Sequence, residues 1–397
     1  MRIEEPQNYR VSFHHRGFRP FFLLAGVIAV VAVATWLWIL SYLGRLPNTD
    51  LLGLQNWHAH EMLFAYSMAA ISGFLLTAEA NWTGVQTLHG TPLMILALLW
   101  LFARIAPFVP HSQAIVVMAG MDLLFNLGLC LALLHPIIKA KQWKQLVVWL
   151  HVLLLFVANA VFYLGIFAVM ENGIRLGLYS ALYIVISLIT LMGRRVIPFF
   201  IERGVGYPVT LINRPWLDNS SVGLLPLLLI FDVLFDMPLY AAITAAALAV
   251  LHSWRLLGWY TKGIWAKPLL WILYVGYAWL ASGFLLKALA YWSTINSMLA
   301  VHAFAYGGIG MITLGMMTRI SLGHTGRNVF SPPPFLWLFF LLLFVGSLIR
   351  VVFPLLLADS YSTWIMLSQW LWIVAFLGFL VLFSPMLIKA RVDGKYG

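Results

Sequence analysis

Long apolar runs separated by short polar stretches dominate this chain. A helix that crosses a bilayer needs about 20 mainly apolar residues. That rule predicts twelve such helices, over residues 20–43, 57–80, 92–110, 113–135, 145–169, 175–193, 220–235, 237–257, 268–290, 297–318, 334–356 and 362–388. The seventh and eighth meet at a tight turn, Asp236-Met237-Pro238. Connections are short except for 194–219, and no stretch has the composition of a separate soluble domain. The pattern predicts an all-α polytopic membrane protein, a single transmembrane domain over 1–397. An even number of spans puts both termini on one side.

Composition agrees with the pattern. Hydrophobic residues make up 62% of the chain and charged residues 9%, against about 25% charged in ordinary soluble domains. Soluble, secreted and disordered classes are thereby excluded, and the lipid bilayer is the first expected partner. The net charge of +11 does not call for nucleic acid, because the basic residues are scattered between apolar runs. Five of the 24 (Arg45, Arg104, Arg175, Lys287 and Arg350) fall on one side of the twelve-span topology, and the other 19 on the side of the N-terminus. Cytoplasmic loops carry the excess of Lys and Arg. The segments 1–19, 194–219 and 389–397 are therefore expected in the cytoplasm. The first apolar segment is too long for a cleaved signal peptide and lacks a small-residue cleavage site. A single cysteine, Cys130, excludes an intramolecular disulfide, a thiolate-held iron–sulfur cluster and covalent c-type haem attachment.

Ionisable residues inside a membrane are expensive and are functional candidates by default. The topology places His58, His60 and His302 at one depth, near the outer face. His58 and His60 stand about 200° apart on a helix and point to nearly opposite faces, so each can serve a different centre. Glu61, three positions after His58, is expected to share its face, where a carboxylate orients an imidazole or relays a proton. Two readings stand for these histidines: metal or haem ligation, or a polar network joining helices. His252 and His324, near the inner face, carry the same two readings. Tyr306, one turn after His302, is a proton donor or a packing residue. Gly307, Gly308 and Gly310 clear space for a flat macrocycle or allow close helix packing. Met316 and Met317 are soft copper ligands or core residues.

Asp122 and Asp232 lie well within the bilayer, and paired carboxylates there can carry protons. Arg104 and Arg350, on the outer side, suit haem propionates, since guanidinium binds carboxylate with two hydrogen bonds; the alternative is a snorkelling arginine. A weak internal repeat links two helices. His60 is followed by Gly73 and Thr83-Gly84 at the same spacings at which His302 is followed by Gly315 and Thr325-Gly326.

Phe18-Arg19-Pro20-Phe21-Phe22, Trp57-His58-Ala59-His60-Glu61-Met62-Leu63-Phe64 and Asn81-Trp82-Thr83-Gly84 resemble the NnrS family. So do Gly193-Arg194-Arg195-Val196-Ile197-Pro198-Phe199-Phe200, His302-Ala303, and Met317-Thr318-Arg319 running into Leu322-Gly323-His324-Thr325-Gly326-Arg327. The resemblance implies a twelve-span, multi-pass protein of the bacterial inner membrane that contains haem, non-covalent and of the b type, and copper. It also implies a part in the response to nitric oxide and nitrosative stress, often beside denitrification. The metal-ligand candidates it carries over are His58, His60, His252, His302 and His324. The family pattern often has glycine at Ala65, and histidine in some members at Tyr163 and Tyr274, which puts in doubt any site that needs histidine there.

The resulting expectation is an oxidoreductase that binds and reduces nitric oxide at an outer-leaflet metal site, fed by an unidentified electron donor. In it His60 and His302 ligate haem, His58 with Glu61 serves a second centre, Arg104 and Arg350 hold propionates, and Glu61 and Tyr306 handle protons. The alternatives are a haem-based nitric oxide sensor or carrier without turnover, and a proton-coupled transporter.

Overall fold

The computed structural model describes residues 11–397. Arg2 and Arg10, counted above among the basic residues, lie outside them. Among the described residues all regular structure is helical, apart from an isolated bridge between Val11 and Lys389. Twelve helices are long and apolar enough to cross a membrane: α1 (Phe18–Tyr42), α2 (Leu54–Thr83), α3 (Gly90–Phe108), α4 (Ala114–Ala140), α5 (Trp143–Ile166) and α6 (Gly173–Gly204). They continue with α7 (Pro215–Leu234), α8 (Pro238–Trp259), α9 (Pro268–Trp292), α10 (Ser297–His324), α11 (Leu336–Leu356) and α12 (Ala358–Ile388). This is the polytopic helical membrane protein that the apolar runs predict.

Local chemistry explains several boundaries. Pro215, Pro238 and Pro268 open α7, α8 and α9, where a missing N–H costs nothing and the fixed φ suits the first turn. The turn between α7 and α8 places Asp236 in the left-handed region at φ 50°, which a short polar side chain tolerates. Among the described residues three spans contain π-helical winding. Glu61–Ser67 in α2, Ile230–Leu234 in α7 and Ala303–Gly310 in α10 wind as π-helix, a geometry that recurs at functional sites.

The chain divides into two compact units. The first comprises Met1–Ala181, Met317–Pro332 and Phe376–Gly397, and the second Leu182–Met316 and Pro333–Ala375. In the first, Phe18, Phe21, Phe22, Phe64, Phe125 and Phe162 are buried. The fully buried Arg19 donates to the carbonyls of Leu387 (2.8 Å) and Lys389 (2.7 Å) and to the Gly397 oxygen (2.9 Å), tying the start of α1 to the chain beyond α12. In the second, Trp259, Tyr277, Leu280 and Phe284 are buried.

Candidate functional site

The first unit buries a charged network between four spans. His60 ends the α-helical opening of α2 and Glu61 begins its π segment. Arg104 comes from α3, Asp122 from α4, and Asn159 and Tyr163 from α5. Arg104 Nη1 donates to Glu61 Oε1 at 2.7 Å, and its Nη2 donates to Asp122 Oδ1. Tyr163 donates to Asp122 Oδ2 at 2.7 Å. His60 Nδ1 meets Glu61 Oε1 at 3.2 Å; its Nε2 meets Asn159 Oδ1 at 3.1 Å and Asp122 Oδ2 at 3.4 Å. His60, Glu61, Arg104, Asp122 and Asn159 are all buried.

Both nitrogens of His60 therefore lie against polar side chains of the network.

His58 and His60 do turn to different neighbours. The ring of His58 stacks on Trp36 of α1, centroids 4.8 Å apart and 12° from parallel. Glu61 departs from expectation: its carboxylate turns to His60 and Arg104 rather than to the face of His58. The guanidinium attracts it there, although the backbone from His58 to Glu61 keeps α-helical register.

The second unit holds three further groups. In α10 and α11, Arg350 Nη2 donates to His302 Nε2 at 2.9 Å, and His302 Nδ1 donates to the Met298 carbonyl at 2.8 Å. In α7 and α9, Lys287 Nζ lies 2.5 Å from Asp232 Oδ1, and Tyr183 of α6 donates to Asp232 Oδ2 at 2.6 Å. In α8 and α9, His252 is fully buried, stacked on Phe284 (5.2 Å, 12°), with Nδ1 2.7 Å from the Tyr277 hydroxyl. Arg255 donates to that hydroxyl at 2.6 Å and to Asp218 at 2.9 Å. His252 Nε2 is buried with no hydrogen-bond partner.

Tyr306 donates to the Ser368 carbonyl at 2.7 Å and packs on Trp372. The glycines of α10 are faced by protein: a Cβ on Gly307 would meet Trp279, on Gly308 Leu280, and on Gly310 Trp372. Close helix packing accounts for all three. His324 is half-buried in the first unit, beside Phe18, and its carbonyl accepts from Arg391 at 3.0 Å.

The repeat has a structural counterpart. His60 and His302 each stand immediately before a π segment. A Cβ on Gly73 would meet Phe21 and Phe22 of α1, and one on Gly315 would meet Ile272 and Leu273 of α9. Gly84 and Gly326, after the two helices, take left-handed φ of 69° and 76°. In each case an arginine from the following span reaches the histidine or its neighbour.

Asn159 and Lys287 were not singled out from sequence as site residues. The signal for Asn159 was available, since an amide in the apolar run Phe156-Val157-Ala158-Asn159-Ala160-Val161 needs a buried partner.

The family model for NnrS protein matches residues 12–391. The chain belongs to the NnrS family. Comparison with curated proteins finds no match. Membership makes this a membrane protein of the nitric oxide response.

Metal ligation needs an imidazole lone pair, usually with the other ring nitrogen hydrogen-bonded. His60 and His302 do not fit as they stand: one faces carboxylate and amide oxygens at Nε2, and the other accepts from Arg350 there. Arg104 likewise already holds two protein carboxylates in place of propionates. Among the described residues no group of three or more His, Cys, Asp or Glu is arranged to hold a metal ion. His252 does not fit as it stands either, because Arg255 Nη1 donates to its Nδ1 at 3.2 Å, which leaves the proton of the neutral ring on Nε2.

Proposed function

We propose that this NnrS-family protein is a redox protein of the bacterial inner membrane that binds and reduces nitric oxide. The observation that carries the reading is the buried network of His60, Glu61, Arg104, Asp122 and Tyr163, in a chain whose family belongs to the nitric oxide response. Reduction joins two nitric oxide molecules with two electrons and two protons to give nitrous oxide and water. A one-electron donor must supply the electrons. Protons must reach a site inside the bilayer, where charge is costly.

The network suits that need. Asp122 and Glu61 accept, His60 offers two nitrogens, and Tyr163 links Asp122 to the next turn of α5. Arg104 holds both carboxylates in place, so a proton added to the group meets a fixed set of acceptors. Haem and copper are the cofactors this reading takes from the family, and they would supply electron transfer and a binding position for nitric oxide. No step is assigned through His60 or His302 as ligands, because their nitrogens are engaged.

The π segments of α2 and α10 favour a second reading. They occupy repeat-related positions, where interrupted helices in transporters form binding sites, and a proton-coupled transporter would use the same network. An absorption spectrum and metal analysis of the purified protein, followed by anaerobic exposure to nitric oxide with a reductant, separate the readings. Bound haem with continuous nitrous oxide formation supports the reductase. Bound haem without turnover supports a sensor or carrier. Absence of haem and of turnover supports the transporter.

A further inference from the structure

Arg350 is a buried cation without an anion. The residue is 8% exposed. Its Nη2 donates to His302, Tyr361 both hydrogen-bonds the guanidinium and sets its ring 5.9 Å from the guanidinium carbon, and Nη1 is buried with no hydrogen-bond partner. Since guanidinium can only donate, His302 Nε2 accepts, and the proton on Nδ1 goes to the Met298 carbonyl. The imidazole is then neutral and the pair keeps a full positive charge. No acidic residue occurs between Pro268 and Leu356, and α12 has only Asp359, which is exposed. Among the described residues no carboxylate pairs with Arg350. Burying a charge in that state is costly, and the aromatic ring of Tyr361 offsets only part of the cost.

The first unit shows what is missing. There Arg104, from the span after the histidine helix, gives Nη1 to Glu61 and Nη2 to Asp122. Glu61 directly follows His60; the residue directly following His302 is Ala303. The second copy of the motif keeps its histidine and arginine and lacks the carboxylate beside the histidine.

We propose that Arg350 and His302 form a binding site for a small monovalent anion with two oxygens in carboxylate geometry. The guanidinium fork matches such an anion, with Nη1 as donor and His302 holding the guanidinium plane through Nη2. The anion is either free, as nitrite or formate, or the carboxylate arm of a larger bound molecule. Binding needs no turnover, so the site stands or falls separately from the nitric oxide reading.

The test uses purified full-length protein in detergent. Sodium nitrite and sodium formate are titrated by calorimetry at constant ionic strength, and denatured protein is searched by mass spectrometry for copurified carboxylate compounds. The expected result is saturable one-site binding, weakened at least tenfold in Arg350→Lys and lost in Arg350→Gln. Ala303→Glu, which restores the carboxylate found beside His60, is expected to abolish binding too. A carboxylate compound that copurifies with the unaltered protein but not with Arg350→Gln also supports the site and identifies the arm of a larger molecule as its source. Arg350→Gln removes an uncompensated charge, so without added anion it is expected to melt no lower than the unaltered protein. Absence of both free-anion binding and a copurified carboxylate overturns the proposal. So does undiminished binding in Arg350→Gln, or a lower melting temperature in that variant.

Discussion

Arg104 reaches across from α3 to place Nη1 2.7 Å from Glu61 Oε1, and the same guanidinium holds Asp122 of α4. One cation thus joins three spans through two buried carboxylates.

Removing that cation leaves two buried carboxylates, and losing one partner of a buried ion pair costs about 3–5 kcal/mol. Arg104→Met is therefore expected to unfold at much lower temperature. The triple variant Arg104→Met, Glu61→Gln, Asp122→Asn is expected to recover most of the loss, because no unpaired charge remains. Thermal unfolding of the unaltered protein and the two variants in one detergent checks both outcomes.

Tyr163 donates at 2.7 Å to Asp122, which is ion-paired with Arg104, and hydrogen bonds to charged groups contribute about 1.5–3 kcal/mol. Tyr163→Phe is expected to lose stability in that range. Phenylalanine at Tyr274, which donates to the Leu256 carbonyl at 3.0 Å, is expected to cost less. Chemical or thermal denaturation of the two variants side by side gives the comparison.

Gly310 lies against Trp372, and an added Cβ would come within 2.6 Å of its ring. Overpacking of this kind costs about 1–3 kcal/mol. Gly310→Ala is expected to destabilise by that amount, and Gly310→Ala with Trp372→Leu by less than the sum of the single variants. A macrocycle seated against the glycine would instead reveal itself by loss of haem absorbance in Gly310→Ala.

His15 is buried against the stacked ring of Tyr396, 4.5 Å away. Burial, with His14 and Arg19 nearby, pushes its pKa down from 6.5 to about 4. The unfolded chain then binds the proton more readily, so stability from this residue is present above pH 6.5 and is lost as pH falls toward 4. The unaltered protein is expected to lose more stability than His15→Phe between pH 7.5 and pH 5, as melting curves at the two pH values would show.

Much of the architecture was legible from the sequence, because the requirement for apolar length is simple. Each predicted run contains or overlaps one span, and the tight turn at Asp236-Met237-Pro238 separates α7 from α8. The opposed faces of His58 and His60 followed from helical geometry alone. The partners of the histidines were harder to read. Counting α-helical turns puts Glu61 on the face of His58, and the backbone there keeps that register; the side chain turns instead to Arg104 and His60, a choice of partner that sequence does not show. Asp122 was recognisable as a buried carboxylate, but sequence gives no distance to an arginine 18 residues away on another helix. The glycines of α10 allowed two readings, and only the positions of Trp279, Leu280 and Trp372 favour packing.

The most direct measurement is the rate of nitrous oxide formation by the purified protein, supplied anaerobically with nitric oxide and a one-electron reductant. The unaltered protein is expected to produce nitrous oxide continuously. Asp122→Asn, which keeps the shape of the side chain but removes a proton-binding group, is expected to lower that rate at least tenfold while still binding nitric oxide. Nitric oxide binding without any nitrous oxide, or turnover unchanged in Asp122→Asn, would contradict the proposal that the buried network serves nitric oxide reduction.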